Sequence, residues 1–528
     1  MHHLFATRGR SLHRSGWPCR RQVRLGGKPK LQHEAPYGLR PKAALCVFDI
    51  RHLACLIVLI TGVSCLATTP APPGYLDASM VPGHPFNPSD ATDAFQSALD
   101  TFSPKIWVPD MGTEWFVNPI TLRSNQEILF ESGVVVAAKP GSLSFLSGQL
   151  FVASGISNAC LAGYGATLRM QQADYLNPPY TPSEFRHGLL YYDSVNIEII
   201  GVTVEDTGGD GITIGTISTS GFCKNMLIKD VTISNAYRNG ISVVSAEDLV
   251  IDNAVIVNTS GTSPQVGIDF EPDFNTERLV NVVVRNSIIA YNNWSGISFP
   301  TSGLLGSGGV QGIPITGSIE NTTIVGNGFD PFGGGGTTEM FGDGIYMKWH
   351  LDGVEVKDCL FVDNAQWGFE VDGFGIGYLQ DADYSAFWSN DAGPVGRQAG
   401  LGTGTVTNVQ PIFASTDVND PFFMYLAGST STAITEGASD GSHMGARPAL
   451  PGAGVPVVPA ENIEIADTPG VFFNSFTGMT YRLESTPDLV SSNYSDTGAF
   501  VTGNGGSMIL FDPVGPSTSK NYRVVVVP

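Results

Sequence analysis

Seven glycines recur at near-equal intervals through the middle of the chain: Gly188, Gly211, Gly240, Gly267, Gly296, Gly344 and Gly368, mostly 23 to 29 residues apart with one step of 48. Each opens a similar segment: HGLLYY, DGITIG, NGISVV, VGIDFEP, SGISFP, DGIYMKWH and WGFEVDG. Between them runs a second recurring strand, NIEIIGVTV, NMLIKDVTI, DLVIDNAVI, NVVVRNSII, SIENTTIV and GVEVKDCLF, most copies followed by an Asn-containing turn at Asn235, Asn258, Asn292, Asn327 or Asn364. Short β-branched strands, Gly/Asn turns and a period near 25 describe a parallel β-helix, in which each repeat is one coil and side chains stack in columns.

The alternation inside each segment sets the two faces. Positions one and three after the glycine are apolar from Gly211 onward (Ile212/Ile214, Ile241/Val243, Ile268/Phe270, Ile297/Phe299, Ile345/Met347, Phe369/Val371) and point inward. Positions two and four therefore point outward. With 42% hydrophobic residues the chain can bury a large core, and 63 Gly with 34 Pro argue against a helical bundle. Cys359 falls in the inward column of Val231, Ala254 and Ser287, so this thiol reads as a small buried hydrophobe; Cys160, Cys223 and Cys359 lack the spacing of a zinc site or disulfide framework.

Charge is unevenly placed. The formal net charge is -21, yet 47 of the 49 acids and only 17 of the 28 basic residues follow Ala67, so the body carries about -30. Such a surface disfavours nucleic acid as a partner. Leu53 to Ala67 reads as the apolar region of a secretory signal spanning about 52–67, and is too short for a stable membrane span. The expected localisation is secreted, periplasmic or cell-surface, with a lipidated Cys65 as the lesser alternative. Residues 1–67 are thus a basic leader, whose start reads as assigned too early, plus signal; 68–449 the β-helix; 450–460 a Pro/Val/Ala linker; and 461–528 a small C-terminal β-domain. The chain is expected to be monomeric.

Ahead of the repeats, Ser89 to Asp100 (SDATDAFQSALD) has an N-cap signal and amphipathic spacing, a helix that would cover the open end of the stack. With the following strand ending in VP and then ITLRSN, it resembles the opening of the pectate-lyase/polygalacturonase superfamily. That resemblance covers Ser89 to Gly141 and implies an all-β, right-handed single-stranded parallel β-helix and a polysaccharide bias, without supplying catalytic residues. The polygalacturonase combination of NTD, DD pair, GHG and RIK is absent. DPFFMYLAGSTSTAI and DGSHMGARP are similar to the closing segment of secreted bacterial β-helix proteins.

Outward positions of adjacent coils form one surface, which gathers Arg186, His187, Asp210, Arg238, Asp269, Glu271, Tyr346, Lys348, Glu370 and Asp372. Asp269 and Glu271 are two apart on one strand, a pair suited to general acid and base work across a glycosidic bond, with Asp210 as a third carboxylate. Arg238, Arg186, His187, Tyr346, Lys348, Glu370 and Asp372 are expected to bind substrate. Each has an ordinary structural alternative, such as turn capping for Asp210 and His187 or carboxylate bridging for Arg238. Thr301 to Gly342 is Gly-rich and reads as an insertion able to close over a chain-like ligand.

The leading expectation is a glycoside hydrolase on an extracellular polysaccharide or oligosaccharide. The alternatives are a lyase or C5-epimerase on a uronate glycan, which needs a cation such as Arg238 to neutralise the substrate carboxylate, and a non-catalytic glycan-binding or adhesion β-helix. No cofactor is required. The Asp-rich surface leaves calcium open without a loop signature for it.

Overall fold

The structure, a computed structural model, describes residues 70–304, 313–328, 342–348, 353–372, 380–420 and 422–450, and strands between Val457 and Val527. The leader and signal segment lie outside the described residues. So do two Gly-rich stretches, 305–312 and 329–341. Among the described residues no helix is long and apolar enough to cross a membrane.

Successive strands enter three parallel sheets in strict rotation, giving one sheet of twelve strands and two of ten. The coil is therefore three-sided. Each "second strand" of the sequence divides in two, because a left-handed residue breaks it: Gly201, Asp230, Asn253, Asn286, Asn321 and Asp358 have φ of 71°, 56°, 55°, 54°, 43° and 59°. Gly, Asn and Asp tolerate that region. Residues 316–325, inside the expected insertion, are an ordinary coil whose strands Thr316–Glu320 and Thr323–Val325 pair with both neighbours. Part of the expected insertion is thus a regular coil.

The aligned glycines sit where each coil enters the third sheet. A Cβ on Gly211, Gly240 or Gly267 would come within 2.5–2.6 Å of the carbonyl oxygen of the next glycine in the column, so coils can stack at strand spacing only without side chains there. The residues after them fill the interior as expected: Ile212, Ile214, Ile241, Val243, Ile268 and Phe270 are fully buried. Phe270 and Phe299 stack with centroids 4.4 Å apart, and Phe361 and Phe387 at 4.5 Å.

The Asn turns resolve into two columns. Asn235 and Asn258 have φ of 55° and 61° and serve the bend itself. Asn292, Asn327 and Asn364 are buried, and their amides run coil to coil, Asn292 Nδ2 donating to Asn327 Oδ1 at 3.0 Å, Asn327 to Asn364 at 3.0 Å and Asn364 to Asn390 at 2.8 Å. Such a ladder satisfies groups that burial would otherwise penalise.

Helix α1 spans Thr92–Asp100, three residues shorter at its start than the sequence pattern. Asp90 is not in the helix: its carboxylate accepts the Thr92 N–H and pairs with Lys139 at 2.6 Å. Ala94, Phe95, Ala98 and Leu99 are buried, with Phe95 edge-on to Trp115, Phe130 and Phe151. At the other end the chain does not stop at the last coil but runs back over the second sheet. Phe423, Met424, Leu426, Ile434 and Met444 pack there against Val257, Ile288, Val325, Leu360 and Val362. Beyond Val457 the described strands form antiparallel sheets of four and three strands.

Candidate functional site

Before four of the seven aligned glycines, the preceding residue turns its side chain onto the backbone of the next coil. The Asp210 N–H donates to His187 Nδ1 at 3.0 Å, the Asn239 N–H to Asp210 Oδ1 at 3.2 Å, the Val266 N–H to Asn239 Oδ1 at 3.0 Å and the Trp367 N–H to Asp343 Oδ1 at 3.0 Å. His187 Nδ1 also lies 3.2 Å from Asp210 Oδ2. It cannot accept from the amide and donate to the carboxylate at once. The amide contact needs Nδ1 bare, whereas the carboxylate contact, which lowers the Asp210 pKa, needs Nδ1 to carry a proton.

On this polar column sits Arg238. Its Nη1 and Nη2 grip Glu271 at 2.8 and 2.7 Å, Nη1 also reaches Asp210 Oδ1 at 3.2 Å and Ser242 Oγ at 3.1 Å, and Nε lies 3.7 Å from Glu184. Burial alone would raise the pKa of Asp210, but His187, Arg238 and the Thr213 hydroxyl more than offset it and hold the carboxyl down at about 2. Asp210 is thus a buried anion that anchors Arg238 and caps Asn239.

Asp269 behaves oppositely. The outward column Thr213, Ser242, Asp269, Ser298, Tyr346, Glu370 is in register as the sequence spacing implies, yet every member is buried, so it is the floor of a polar wall rather than an open surface. Burial, then the Glu271 charge, push the Asp269 carboxyl well above its usual range, and Arg238 does not compensate. Its Oδ2 accepts from Asn239 at 3.4 Å while Oδ1 has no donor. A hydrogen bond with Glu271 adds to this rise and favours a protonated Asp269. Asp269 is sealed and Glu271 is 24% exposed, so of the two carboxyls only Glu271 meets solvent.

Arg186 does not join this group. Fully buried, it donates from Nε to the Leu143 carbonyl at 2.9 Å and from Nη2 to those of Phe145 and Thr181 at 2.8 and 3.0 Å, with Tyr175 and Tyr180 against the guanidinium. Tyr346, Glu370 and Asp372 gather further along the same sheet with two residues the motifs did not flag, Asp343 and Arg397. Arg397 pairs with Glu370 and Asp372 at 2.6 Å each, the Tyr346 hydroxyl lies 3.4 Å from Asp372, and burial followed by the Glu370 charge raises the Asp343 pKa. Lys348 is in register with Pro300 and Asp372. Glu184 was also missed; its signal was its place in EFRHG beside two residues already flagged.

A cavity of about 440 Å³ lies elsewhere, on the twelve-strand sheet, lined by Asn125, Asn158, Asn196, Asn225, Glu127 and Glu198 among others. It shares no residue with the carboxyl cluster. Among the described residues no three His, Cys, Asp or Glu side chains are grouped to hold a metal ion. Burial pushes the free Cys160, Cys223 and Cys359 thiols up to about 12, 11 and 12, which leaves them poor nucleophiles.

A family model described as "Right handed beta helix region" matches residues 183–311 and 223–390. No curated protein matches the chain. Among solved structures, it is similar to a tailspike protein of Acinetobacter baumannii bacteriophage Fri1, a capsular polysaccharide depolymerase, at 12% identity and TM-score 0.39 over 83% of this chain and 80% of that one. It is also similar to the pectate lyase Pel9A at 11% identity and TM-score 0.40 over 62% and 89%, and to an exopolygalacturonase from Thermotoga maritima at 12% and 0.37 over 65% and 95%. The sheet rotation and the family match together make the body of this chain a right-handed parallel β-helix.

Proposed function

We propose that the chain is an extracellular glycan-degrading enzyme, a glycoside hydrolase whose general acid is the Asp269–Glu271 unit. The observation that carries this reading is a sealed carboxyl with one oxygen lacking a donor, Asp269, beside a solvent-touching carboxylate, Glu271, that an arginine clamps in place. Burial of Asp269 favours a proton in the unit, and Glu271 delivers it to the leaving oxygen. Glu184 is the second carboxylate. It lies by the Nε side of the guanidinium whose Nη atoms hold Glu271, and inversion is the expected outcome where two such carboxyls stand roughly 6.5–9.5 Å apart. Asp210 and Arg238 position the acid. The uronate alternative loses support because Arg238 is already engaged by two carboxylates and Arg186 is spent on backbone carbonyls.

The test is a polysaccharide panel (xylan, arabinan, galactan, β-glucan, polygalacturonate, alginate) with product analysis. Release of saturated reducing ends that Glu271→Gln cuts by about 10²–10⁴-fold is expected. Unsaturated products absorbing in the near ultraviolet would replace hydrolysis by elimination.

A further inference from the structure

Among the described residues, seven large hydrophobics keep half or more of their surface in solvent, and five of them lie on segments that carry Glu184 or Glu271 or are tied to those segments: Phe145 (81%), Leu146 (58%), Phe185 (51%), Ile217 (70%) and Phe274 (50%). Single exposed hydrophobics are ordinary. Grouped ones beside a polar centre mark a binding surface.

They fall on two walls. On the first, Phe185 follows Glu184, has its ring 6.4 Å from His187 and stands in register with Ser147, next to Leu146. Phe145 is held there by its carbonyl, which takes a hydrogen bond from the buried Arg186. On the second wall Phe274 lies three residues past Glu271, in a turn fixed by the Glu277 carboxylate, which accepts the N–H groups of Asp273 and Phe274 at 2.6 and 3.0 Å. Ile217 is on the neighbouring loop, which the Thr276 hydroxyl ties to this turn through the Thr219 carbonyl. Both walls are thus pinned by buried or paired charges while their apolar groups stay outside.

We infer that Phe185 with Phe145 and Leu146, and Phe274 with Ile217, are two sugar-ring platforms on either side of the acid, so the site takes an extended neutral glycan. This rests on the glycan reading proposed above. Pyranose rings present C–H faces that pack on phenyl rings and leave their hydroxyls to polar neighbours, here Glu184, Arg238 and Glu271. The strand that opens with Phe185 and the strand Ile268–Phe270, which precedes the Phe274 turn, are three rungs apart through Leu190, Thr213, Ser242 and Asp269, which is about 14 Å at strand spacing. A ligand reaching both platforms is therefore longer than a disaccharide. Glu184, Glu271 and Asp210 outnumber the one guanidinium among them, which selects against a polyanion.

Affinity electrophoresis of the slow-cleaving Glu271→Gln protein in native gels containing xylan, arabinan, galactan, β-glucan or polygalacturonate tests this. Retardation by a neutral polymer is expected, with at least a tenfold weaker apparent affinity when Phe185→Ser and Phe274→Ser are added and none lost with Phe102→Ser, an exposed ring far along the chain. Unchanged retardation in the double platform variant, retardation by polygalacturonate alone, or none by any polymer overturns the inference. Platform-dependent retardation by a polymer that the wild type does not cleave upholds the platforms and removes the hydrolase reading.

Discussion

Asp210 and Asp269 lie two coils apart, both almost sealed from water, and are driven to opposite protonation states by their neighbours. Asp210, lowered by its partners, stabilises the fold above its ordinary value of 3.8, and that stability is lost as pH falls towards about 2. Asp269 is raised, so its contribution is full below 3.8 and is lost as pH rises towards its folded value. Asp269→Asn supplies a permanent N–H toward Glu271. Urea unfolding across pH 4 to 9 should show wild-type stability falling relative to this variant, at up to about 1.4 kcal/mol per pH unit while one proton is lost; parallel profiles would argue against a proton on Asp269. His187→Ala should cost about 1–3 kcal/mol by orphaning the Asp210 N–H, whereas His187→Asn, which keeps an acceptor, should cost less. Spacing made this cluster legible in the sequence, since outward parity alone aligned Asp269 with its column. It did not reveal that the column is buried, because burial comes from long-range neighbours such as Arg238 folding over it.

Strands, turns and the glycine column carry the element scale. The inward alternation held at each position because a half-buried strand has a period of two. The division of each long strand did not show, since Asp, Asn and Gly at the bend look like solvent-facing strand residues until φ is known. Gly240→Ala would place a Cβ 2.5 Å from the Gly267 carbonyl oxygen, so a loss of at least the 1–3 kcal/mol of an overpacked core is expected, about as large as interrupting the amide ladder with Asn327→Ala. Chemical denaturation of both variants measures this; a neutral Gly240→Ala would mean that the stack relaxes at that corner. Phe299→Ala, which removes one ring of an interior stack, should cost about 3–5 kcal/mol.

At the scale of the whole molecule, the repeat announced the β-helix, and the strap formed by the chain after the last coil was recognised only as a closing segment. Its place over the second sheet could not be read, because Phe423, Met424 and Leu426 form no period and pack with residues as distant as Val257, Val325 and Leu360. The charge of about -30 after Ala67 belongs to this scale. It predicts that raised ionic strength leaves action on a neutral glycan nearly unchanged. The central claim is that Asp269 lends its proton to Glu271, and the most direct measurement is the pH–rate profile of wild type and Asp269→Asn on the polymer that the panel identifies. The account predicts lower activity in the variant, with its alkaline limb moved to lower pH. An alkaline limb unmoved by Asp269→Asn would contradict it.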